Sequence, residues 1–333
     1  MIQTQTGLRI AATGAWRPGA PILSTVIDQR AGLAPGTCEQ RLGIRQRHFA
    51  TDGNPSLMAA AAARIALDTA GWRPEELDLV VSASAVMEQW IPTQAVLVQQ
   101  HLGLAKRGTP VLDINATCLS FLAALDTISY AVAAGRYRRV LIVSAEMPSR
   151  ALDWSDIDIC GNFGDGAAAV LLERDEHAPS GILAAAFETY SDGARLCEIR
   201  AGGTAVDLRH DPAATQAGAI FQMDGGGAYR LAARHFPRFL KTLLAKARLS
   251  LEQIAAIIPH QASAGALDHL RRLSGVPRDK LVDIFSQSGN QVAASLPSAL
   301  DHAVRSGRLR RGDTALLLGT AAGITLGGMV LRY

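Results

Sequence analysis

One cysteine in this 333-residue sequence lies at a position where the predicted local structure could make its sulfur reactive. Cys118 follows a short apolar segment, 110–114, and precedes an apolar run at helical spacing, so it falls between a predicted strand and a predicted buried helix. The first amides of a helix lack partners within the helix, and the positive end of its dipole favours a thiolate over a thiol. The position therefore suits a nucleophile. Taken alone, Cys118 could equally be a small residue of the hydrophobic core, because free cysteines are among the most buried residue types.

A second copy of this region lies 172 positions further along the chain. Segments 130–139 (YAVAAGRYRR) and 302–311 (HAVRSGRLRR) share Ala, Val, Gly and three Arg at that offset, which carries Cys118 onto Asn290. Segments 72–81 and 249–258 form a further pair with slightly different loop lengths. Such a repeat must be recognised first, because missing it misassigns the fold. It predicts an internally duplicated α/β protein with halves at 1–175 and 176–333.

The duplication places three side chains with chemical potential at the ends of predicted central strands. Cys118 belongs to the first half, and His260 and Asn290 belong to the second. Sites in open α/β sheets gather at the carboxyl ends of strands. A thiol, an imidazole and an amide at one place indicate acyl transfer through a thioester, with imidazole and amide donating hydrogen bonds to a carbonyl. Considered alone, His260 could instead be a histidine of the hydrophobic core, and Asn290 could be an ordinary turn residue.

Composition and charge exclude several other classes of protein. The chain is 48% hydrophobic and 19% charged, enough for a large core, and its net charge of +3 comes without a long Lys/Arg block, so we expect no nucleic-acid partner. Cysteines at 38, 118, 160 and 197 form no CxxC pair, which argues against a metal site and against a disulfide framework. The sequence shows no signal peptide and no membrane-length apolar run, and we therefore expect a cytoplasmic protein without membrane contact.

Short continuous apolar runs alternate along the chain with segments whose apolar residues recur at helical spacing. This pattern predicts strands that alternate with helices. Strands are predicted at 8–13, 77–84, 110–114, 139–145, up to 172 after the turn at 163–166, and at 254–258, 315–318 and 324–332. Helices are predicted at 24–29, 56–71, 93–104, 118–135, 228–247 and 265–274. Segments 41–48 and 86–92 are predicted loops, the first at the surface, and 178–222 is predicted to hold strands and loops. Gly225–Gly227 lacks a GxGxxG or GKS/T continuation, which favours a flexible approach to a helix over a phosphate cradle.

Five segments together resemble the β-ketoacyl-ACP synthase III family of thiolase-fold condensing enzymes. They are 113–125 around the cysteine, 163–167 (FGDGA), 259–262 (PHQA), 289–297 (GNQVAASLP) and 323–328 (GITLGG). The resemblance covers essentially the whole chain. It implies a five-layered αβαβα thiolase fold, a homodimer, and acyl-CoA and acyl carrier protein (ACP) thioesters as substrates, with no metal or redox cofactor.

The resemblance also implies roles for individual residues. Cys118 would attack a starter thioester and hold the acyl group, while His260 and Asn290 would bind the malonyl carbonyl so that decarboxylation leaves an enolate. The backbone amides of Cys118 and Ala322 would form the oxyanion hole. Arg41 matches an arginine that contacts CoA, and Ile91, Phe163 and Ser263 stand at other substrate-binding places. Arg230 and Arg272 match basic positions that dock an acidic carrier protein, with ordinary solvated helix charges as the alternative.

Several positions depart from the family pattern. Leu119-Ser120-Phe121 stands where members usually carry Ser-Gly-Phe or Ala-Gly-Phe, and is closer to the long-chain Claisen condensing relatives. Those relatives carry Glu before the proline of the cross-dimer loop, whereas this chain has Ile91, and Glu88 is expected to face solvent. Thr37, Ser263 and Gly265 replace a tunnel Trp, an Asn and an Arg.

These changes favour a specialised condensing enzyme over one that initiates primary fatty-acid synthesis. One alternative is an acyltransferase that passes the acyl group to an alcohol, an amine or a second acyl thioester. A non-catalytic partner in a heterodimer is a further alternative, although such partners commonly lose the nucleophile or the histidine, and this chain keeps both.

Overall fold

Two five-stranded mixed sheets form the frame of the computed structural model, which describes residues 5–176, 180–274 and 276–333. The strands are β1 (Gln5–Thr6), β2 (Leu8–Trp16), β3 (Ile22–Leu23), β4 (Gln46–Arg47), β5 (Leu79–Ser82), β6 (Val111–Asp113), β7 (Arg139–Glu146), β8 (Gly166–Arg174), β9 (Gly181–Thr189), β10 (Cys197–Glu198), β11 (Gln222–Met223), β12 (Ala256–Pro259), β13 (Thr314–Ala321) and β14 (Thr325–Arg332). The helices are α1 (Ser24–Arg30), α2 (Thr37–Leu42), α3 (Pro55–Ala70), α4 (Gln94–His101), α5 (Ser120–Ala133), α6 (Ile157–Cys160), α7 (Pro212–Gly218), α8 (Gly225–Ala247), α9 (Ala264–Ser274), α10 (Phe285–Ser288) and α11 (Ser295–Arg305).

Four strands of each sheet repeat one order, β2-β8-β7-β5 in the first sheet and β9-β14-β13-β12 in the second. The first runs β2-β8-β7-β5-β6, and the second runs β1-β9-β14-β13-β12. Strand β5 pairs in parallel with β7, as its counterpart β12 pairs in parallel with β13, and the next pairs, β7 with β8 and β13 with β14, are antiparallel. In the second half, the counterpart of β6 is reduced to one parallel bridge between Ile257 and Leu281. The internal duplication is therefore confirmed.

The repeat extends to the ends of helices. Gly135 follows α5 and Gly307 follows α11, and both have positive φ, 77° and 70°, which a residue without a Cβ adopts at little cost. Short 3₁₀ turns, Pro74–Glu76 and Leu251–Gln253, lead into β5 and β12 respectively. The paired segments of the sequence thus take the same conformation.

Helices α5 and α11 lie between the two sheets. Their apolar side chains, such as Leu125 and Leu300, join one buried cluster with Ile142 of the first sheet and Leu317 of the second. Alanines of α3 cover the other face of the first sheet, and Phe239 of α8 lies in the cluster on the outer face of the second. The order is therefore helix, sheet, helix, sheet, helix, which confirms the five-layered α/β thiolase fold.

The surface loop predicted at 41–48 is wrong. Residues up to Leu42 finish α2, residues 46 and 47 form β4, and Ile44 and Arg47 are fully buried. The Arg47 guanidinium donates to the carbonyl of Gly161 at 2.5 Å and to the hydroxyl of Ser24 at 3.2 Å. These partners, which lie apart from Arg47 in the sequence, satisfy its two terminal nitrogens, while Nε has no hydrogen-bond partner among the described residues.

Other differences concern the limits of elements. Gly225–Gly227 is the first turn of α8 itself, because the Asp224 carboxylate accepts the Gly227 amide and begins the helix there. Helix α7 was not predicted, and β13 continues to Ala321, beyond the end of the strand predicted at 315–318. The remaining predicted strands and helices are present with ends shifted by a few residues, while residues 178 and 179 of the irregular segment lie outside the described ranges. In the described ranges, no helix combines the length and the apolar character that crossing a membrane requires.

Candidate active site

A sharp turn presents Cys118 ahead of α5. Thr117 has φ of 51°, a strained value for a β-branched residue that persists only where the surroundings enforce it. Here the Asn115 side-chain oxygen accepts the Thr117 amide at 2.9 Å, and the Ser120 hydroxyl accepts the Ala116 amide at 2.9 Å. The helix begins only at Ser120, so Cys118 lies in the turn and not within the helix.

The Cys118 sulfur is held by backbone amides from both halves of the chain. Its own amide and the amide of Ala322 donate to it, and both lower its pKa. Burial acts in the opposite direction and is the larger effect, and together with the charge of Glu146 it raises the pKa to about 12. Burial therefore opposes the thiolate that the helix dipole favours and shifts the resting group toward the neutral thiol. The same two amides are suited to hold a developing oxyanion.

His260 follows the end of β12 and is 6% exposed. Its amide donates to the carbonyl of Leu318 on β13 at 2.7 Å, which extends the parallel pairing and fixes the residue at the strand end. Burial lowers the pKa of the imidazole to about 4, so the ring is neutral at pH 7. Within the described ranges, ring atom Nδ1 has no hydrogen-bond partner although it is buried. A neutral imidazole can donate one hydrogen bond to a substrate oxygen.

Asn290 is oriented by its own turn. Its side-chain oxygen accepts the Val292 amide at 2.8 Å, and its side-chain nitrogen donates to the carbonyl of Ala262 at 3.3 Å. Ala262 in turn donates its amide to the carbonyl of His260 at 3.0 Å. An amide nitrogen carries two donors, so one N–H of Asn290 remains for a ligand.

Gly319 is where these parts meet. A Cβ at this position would lie 2.7 Å from Cδ2 of Leu119 and 3.0 Å from Cβ of His260. Leu119 and His260 therefore both pack against this one glycine of β13. With the Ala322 amide on the sulfur and Ala262 between His260 and Asn290, the structure brings all three predicted side chains to one junction between the halves.

The residues predicted to bind substrate have different surroundings. Phe163 is buried, pairs through its backbone with Asn290, and packs edge-to-face on Phe221 with ring centroids 5.5 Å apart. Ile91 is 85% exposed. Arg41 forms an ion pair with Asp158 at 2.5 Å, and the Ser263 hydroxyl accepts the Ala266 amide at the start of α9.

The structure also shows the surroundings of three charged residues that were predicted to lie at the surface. Arg230 is exposed in α8, and Arg272 is exposed while pairing with Asp268 at 2.9 Å on the same helix. Glu88, expected to face solvent, is instead half-buried and accepts the Ser56 amide at 3.0 Å. That prediction was wrong because the first amides of α3 need an acceptor, and Glu88 reaches them.

Sequence reasoning missed two polar residues of the site. The side-chain nitrogen of Asn162 donates to the same Ala262 carbonyl as Asn290, at 3.0 Å. Glu146 ends β7 with 1% exposure and acts on the Cys118 sulfur. In the sequence, Glu146 could have been noticed because it is a charged residue directly after the largely apolar run 140–145. Asn162 carried no signal beyond its place just before the FGDG segment.

A cavity of about 470 Å³ lies beside Phe221. Its lining residues are Leu152, Asp153, Trp154, Ile159, Ala217, Ile220, Phe221, Gln222 and Met223. Phe163 and Val292 share one apolar cluster with Phe221 and Met223, so the cavity adjoins the Asn290 side of the site. In the described part of the chain, no group of three or more His, Cys, Asp or Glu side chains could hold a metal ion.

Comparisons with known proteins agree along the chain. The family model for 3-oxoacyl-[acyl-carrier-protein] synthase III matches residues 112–193, and the model for its C-terminal region matches 244–333. A β-ketoacyl-[acyl-carrier-protein] synthase III of Erythrobacter litoralis is 36% identical over 97% of this chain and 98% of its own length. The crystal structure of the Aquifex aeolicus 3-oxoacyl-[acyl-carrier-protein] synthase III superposes with a TM-score of 0.88 at 30% identity, covering 98% of this chain and all of the other. The priming β-ketosynthase of the R1128 polyketide pathway gives 0.87 at 29%, covering 98% and 96%. Similarity of this extent, on the fold and around the cysteine turn described above, shows that the chain belongs to the β-ketoacyl-ACP synthase III family of condensing acyltransferases.

Proposed function

We propose that the chain condenses an acyl group carried on Cys118 with a malonyl thioester, in specialised rather than housekeeping metabolism. The observation that carries the proposal is the junction at which one sulfur meets amides from both halves beside His260 and Asn290. One acyl carbonyl and one malonyl carbonyl need separate hydrogen-bond donors, and the junction supplies two sets.

The first half-reaction is acylation. The Cys118 sulfur attacks the carbonyl of an acyl-CoA or acyl-ACP thioester, a new carbon–sulfur bond forms, and the donor leaves as a free thiol that takes the Cys118 proton. The amides of Cys118 and Ala322 hold the oxyanion of the tetrahedral intermediate. Because burial raises the pKa of the thiol to about 12, this proton must leave during the attack and not before it.

The second half-reaction is decarboxylative condensation. The malonyl thioester loses CO₂, and its carbonyl oxygen takes up charge that the N–H groups of His260 and Asn290 stabilise. The carbanion attacks the acyl carbon, the bond to Cys118 breaks, and the thiolate takes a proton. Burial lowers the pKa of His260 to about 4, which keeps the imidazole neutral and leaves one nitrogen free to accept while the other donates. These steps use thioesters as substrates and call for no metal or redox cofactor.

Substrate choice is proposed to follow from the surroundings of the predicted substrate-binding residues. Arg41 is paired with Asp158, and Ser263 is occupied in capping α9, so both have partners other than CoA. Phe163 and Ile91 remain the proposed contacts for the acyl chain. The similarity to a priming β-ketosynthase of a polyketide pathway supports a role outside primary fatty-acid synthesis. We assign the exposed Arg230 and Arg272 to docking of an acidic carrier protein, with the cytoplasm as the site of action.

A second copy of the chain is proposed to cover an exposed apolar surface, made of Val86, Met87, Trp90, Ile91 and Leu112. β6 lies at the edge of its sheet and pairs with β5 on one side only within the described chain. Edge strands with unpaired backbone groups readily pair with another chain. Two copies joined along this edge would form a homodimer and bring Ile91 of each beside the other.

The assay that tests the proposal offers a panel of acyl-CoA and acyl-ACP donors with malonyl-ACP and measures both CO₂ release and the condensed product. We expect acyl-dependent CO₂ release with a donor other than acetyl-CoA. Brisk condensation of acetyl-CoA with malonyl-ACP would instead support a housekeeping role. Acyl transfer to an alcohol, an amine or a second acyl thioester without CO₂ would identify the acyltransferase alternative and overturn condensation.

A further inference from the structure

Glu146 is a buried carboxylate that the mechanism above does not use. It is the last residue of β7 and is 1% exposed. Within the described ranges it forms no ion pair with Lys, Arg or His, so backbone donors alone offset its burial. A carboxylate held in this way at a site is costly unless its position serves a purpose.

The donors to Glu146 come from two separate segments. The Ala85 amide donates to its Oε1 atom at 2.5 Å, and the amides of Val86 and Ala293 also donate to the carboxylate. Ala85 and Val86 begin the exposed loop that runs to Pro92. Ala293 lies in the 3₁₀ turn that follows Asn290. One side chain therefore joins the loop of the apolar surface to the turn that orients Asn290.

The same contacts continue to the nucleophile. The Asn115 side-chain nitrogen donates to the Ala85 carbonyl at 2.8 Å, and the Asn115 oxygen accepts the Thr117 amide at 2.9 Å. Thr117 holds the strained conformation next to Cys118. From Glu146, a continuous path of hydrogen bonds thus reaches the cysteine turn in one direction and the Asn290 turn in the other.

Resting on the proposed function, we propose that Glu146 is a positioning residue of the condensing site: its carboxylate holds the 85–92 loop, the Asn290 turn and the Cys118 turn in one register. The two oxygens of the Glu146 side chain keep lone pairs for all three backbone amides whether or not the acid is protonated, whereas a glutamine presents its NH₂ to at least one of them. The register therefore depends on both oxygens.

Glu146 also acts on Cys118 through its charge. Its negative charge contributes to raising the pKa of the thiol, while burial raises the pKa of Glu146 itself to about 8. The other titratable groups that act on this pair are Cys197 on Cys118 and Asp165 on Glu146. Removing the carboxylate should therefore have two effects of opposite sign, a slower condensation and a more reactive thiol.

The experiment compares full-length wild type with Glu146→Gln, Glu146→Asp and the control Glu173→Gln. Glu173 is a buried carboxylate on β8 that pairs with Arg9 at 2.6 Å, remote from the cysteine turn. Condensation is followed with the best donor from the panel, and the rate of Cys118 alkylation by iodoacetamide is followed by peptide mass spectrometry from about pH 6.5 to about pH 9.5. The folded fraction of each variant is measured in parallel.

We expect Glu146→Gln to slow condensation by about tenfold to a hundredfold, because small misplacements of reacting groups have effects of that size. Its alkylation should exceed wild type by about threefold or more at the upper pH and converge with wild type at the lower pH, where Glu146 is protonated. Glu146→Asp keeps the charge, so it should keep the wild-type alkylation profile and recover part of the turnover. Glu173→Gln should change neither property of the folded protein.

Turnover of Glu146→Gln within twofold of wild type overturns the proposal, and so does an alkylation ratio that does not change with pH. If Glu146→Gln fails to fold, Glu146→Asp decides, and full wild-type turnover in it contradicts the required register. Failure of the wild type to condense any donor would count against the proposed function, while the alkylation profiles would still measure the relationship between Glu146 and Cys118.

Discussion

The backbone amide of Ala322 donates a hydrogen bond to the sulfur of Cys118. Ala322 follows β13 in the last hairpin of the second half, whereas Cys118 lies in the strand-to-helix turn of the first. Neither half alone therefore holds the complete surroundings of the Cys118 sulfur. The same packing brings Leu119 and His260 against Gly319, so the duplication produces the site as well as the fold.

Gly319→Ala should impair the site while leaving the protein folded. The added methyl would meet Leu119 at 2.7 Å and His260 at 3.0 Å, and one of them must move. We expect condensation to fall by about tenfold or more, measured as turnover per folded protein. Gly203→Ala is the matched control, because no atom lies within 4 Å of a Cβ there.

A second variant identifies which neighbour moves. Leu119→Ala makes room beside Gly319, so the double variant should recover activity relative to Gly319→Ala. No recovery would mean that His260 is the residue displaced, and unchanged activity in the single variant would contradict the tight packing at Gly319.

Asn290→Ala and Asn162→Ala should separate two roles, although both side chains donate to the Ala262 carbonyl. We expect Asn290→Ala to lower CO₂ release by about a hundredfold, because it removes a donor to the malonyl oxygen, and to leave acylation of Cys118 near the wild-type rate. Asn162→Ala should destabilise the protein by about 1 kcal/mol and retain most CO₂ release. The two half-reactions are measured by acyl-enzyme formation and CO₂ release, and equal loss of both in Asn290→Ala would contradict the assignment.

The positions of the candidate catalytic residues could be predicted because the internal duplication aligns the strand ends that carry them. Cys118, His260 and Asn290 were located from strand ends and one constant offset, with no knowledge of packing. Their states could not be predicted in the same way. The thiolate expected at Cys118 depends on a helix dipole, but burial outweighs it, and burial is decided by residues such as Ala322 that lie far along the chain.

Errors in the fold have the same origin. The segment around Arg47 reads as a basic surface loop, yet its guanidinium is buried because the carbonyl of Gly161 accepts from it. Arg41 was matched to an arginine that contacts CoA, and in the structure it is paired with Asp158. Helix α7 is short and begins at Pro212, directly after Asp211, and its sequence has no long periodic pattern that would predict a helix.

Stability should depend on pH through His260. Burial lowers the folded-state pKa of its imidazole to about 4 from the ordinary 6.5, so the unfolded chain takes up a proton first as the pH falls. The stabilisation of the neutral ring is fully present above about pH 6.5 and is lost as the pH falls toward 4. Between pH 7 and pH 4.5, we expect wild type to lose about 2.5 kcal/mol more than His260→Gln, measured by urea unfolding.

The exposed His210 provides the control for that comparison, as His210→Gln removes a histidine that lies outside the buried site. Equal pH dependence in wild type and His260→Gln would show that the ring is not held neutral in the folded state.

Leu112→Glu should abolish the proposed homodimer. Leu112 is 46% exposed on edge strand β6, and a carboxylate there would be buried against a second copy without a partner. We expect the molar mass from light scattering to fall by half and condensation to be lost. Leu208→Glu changes another exposed leucine, 44% accessible and away from this surface, and should remain dimeric. A variant of Leu112 that stays dimeric would place the interface elsewhere.

The central claim is that Cys118 carries the acyl group at a site completed by the second half. Its most direct test is intact-protein and peptide mass spectrometry of wild type, Cys118→Ala and Cys197→Ala after incubation with the acyl-thioester panel, without malonyl-ACP. The account predicts one acyl adduct on the peptide containing Cys118 in wild type and in Cys197→Ala, discharged when malonyl-ACP is added, and none in Cys118→Ala. An adduct that persists in Cys118→Ala, or that malonyl-ACP does not discharge from wild type, would contradict it.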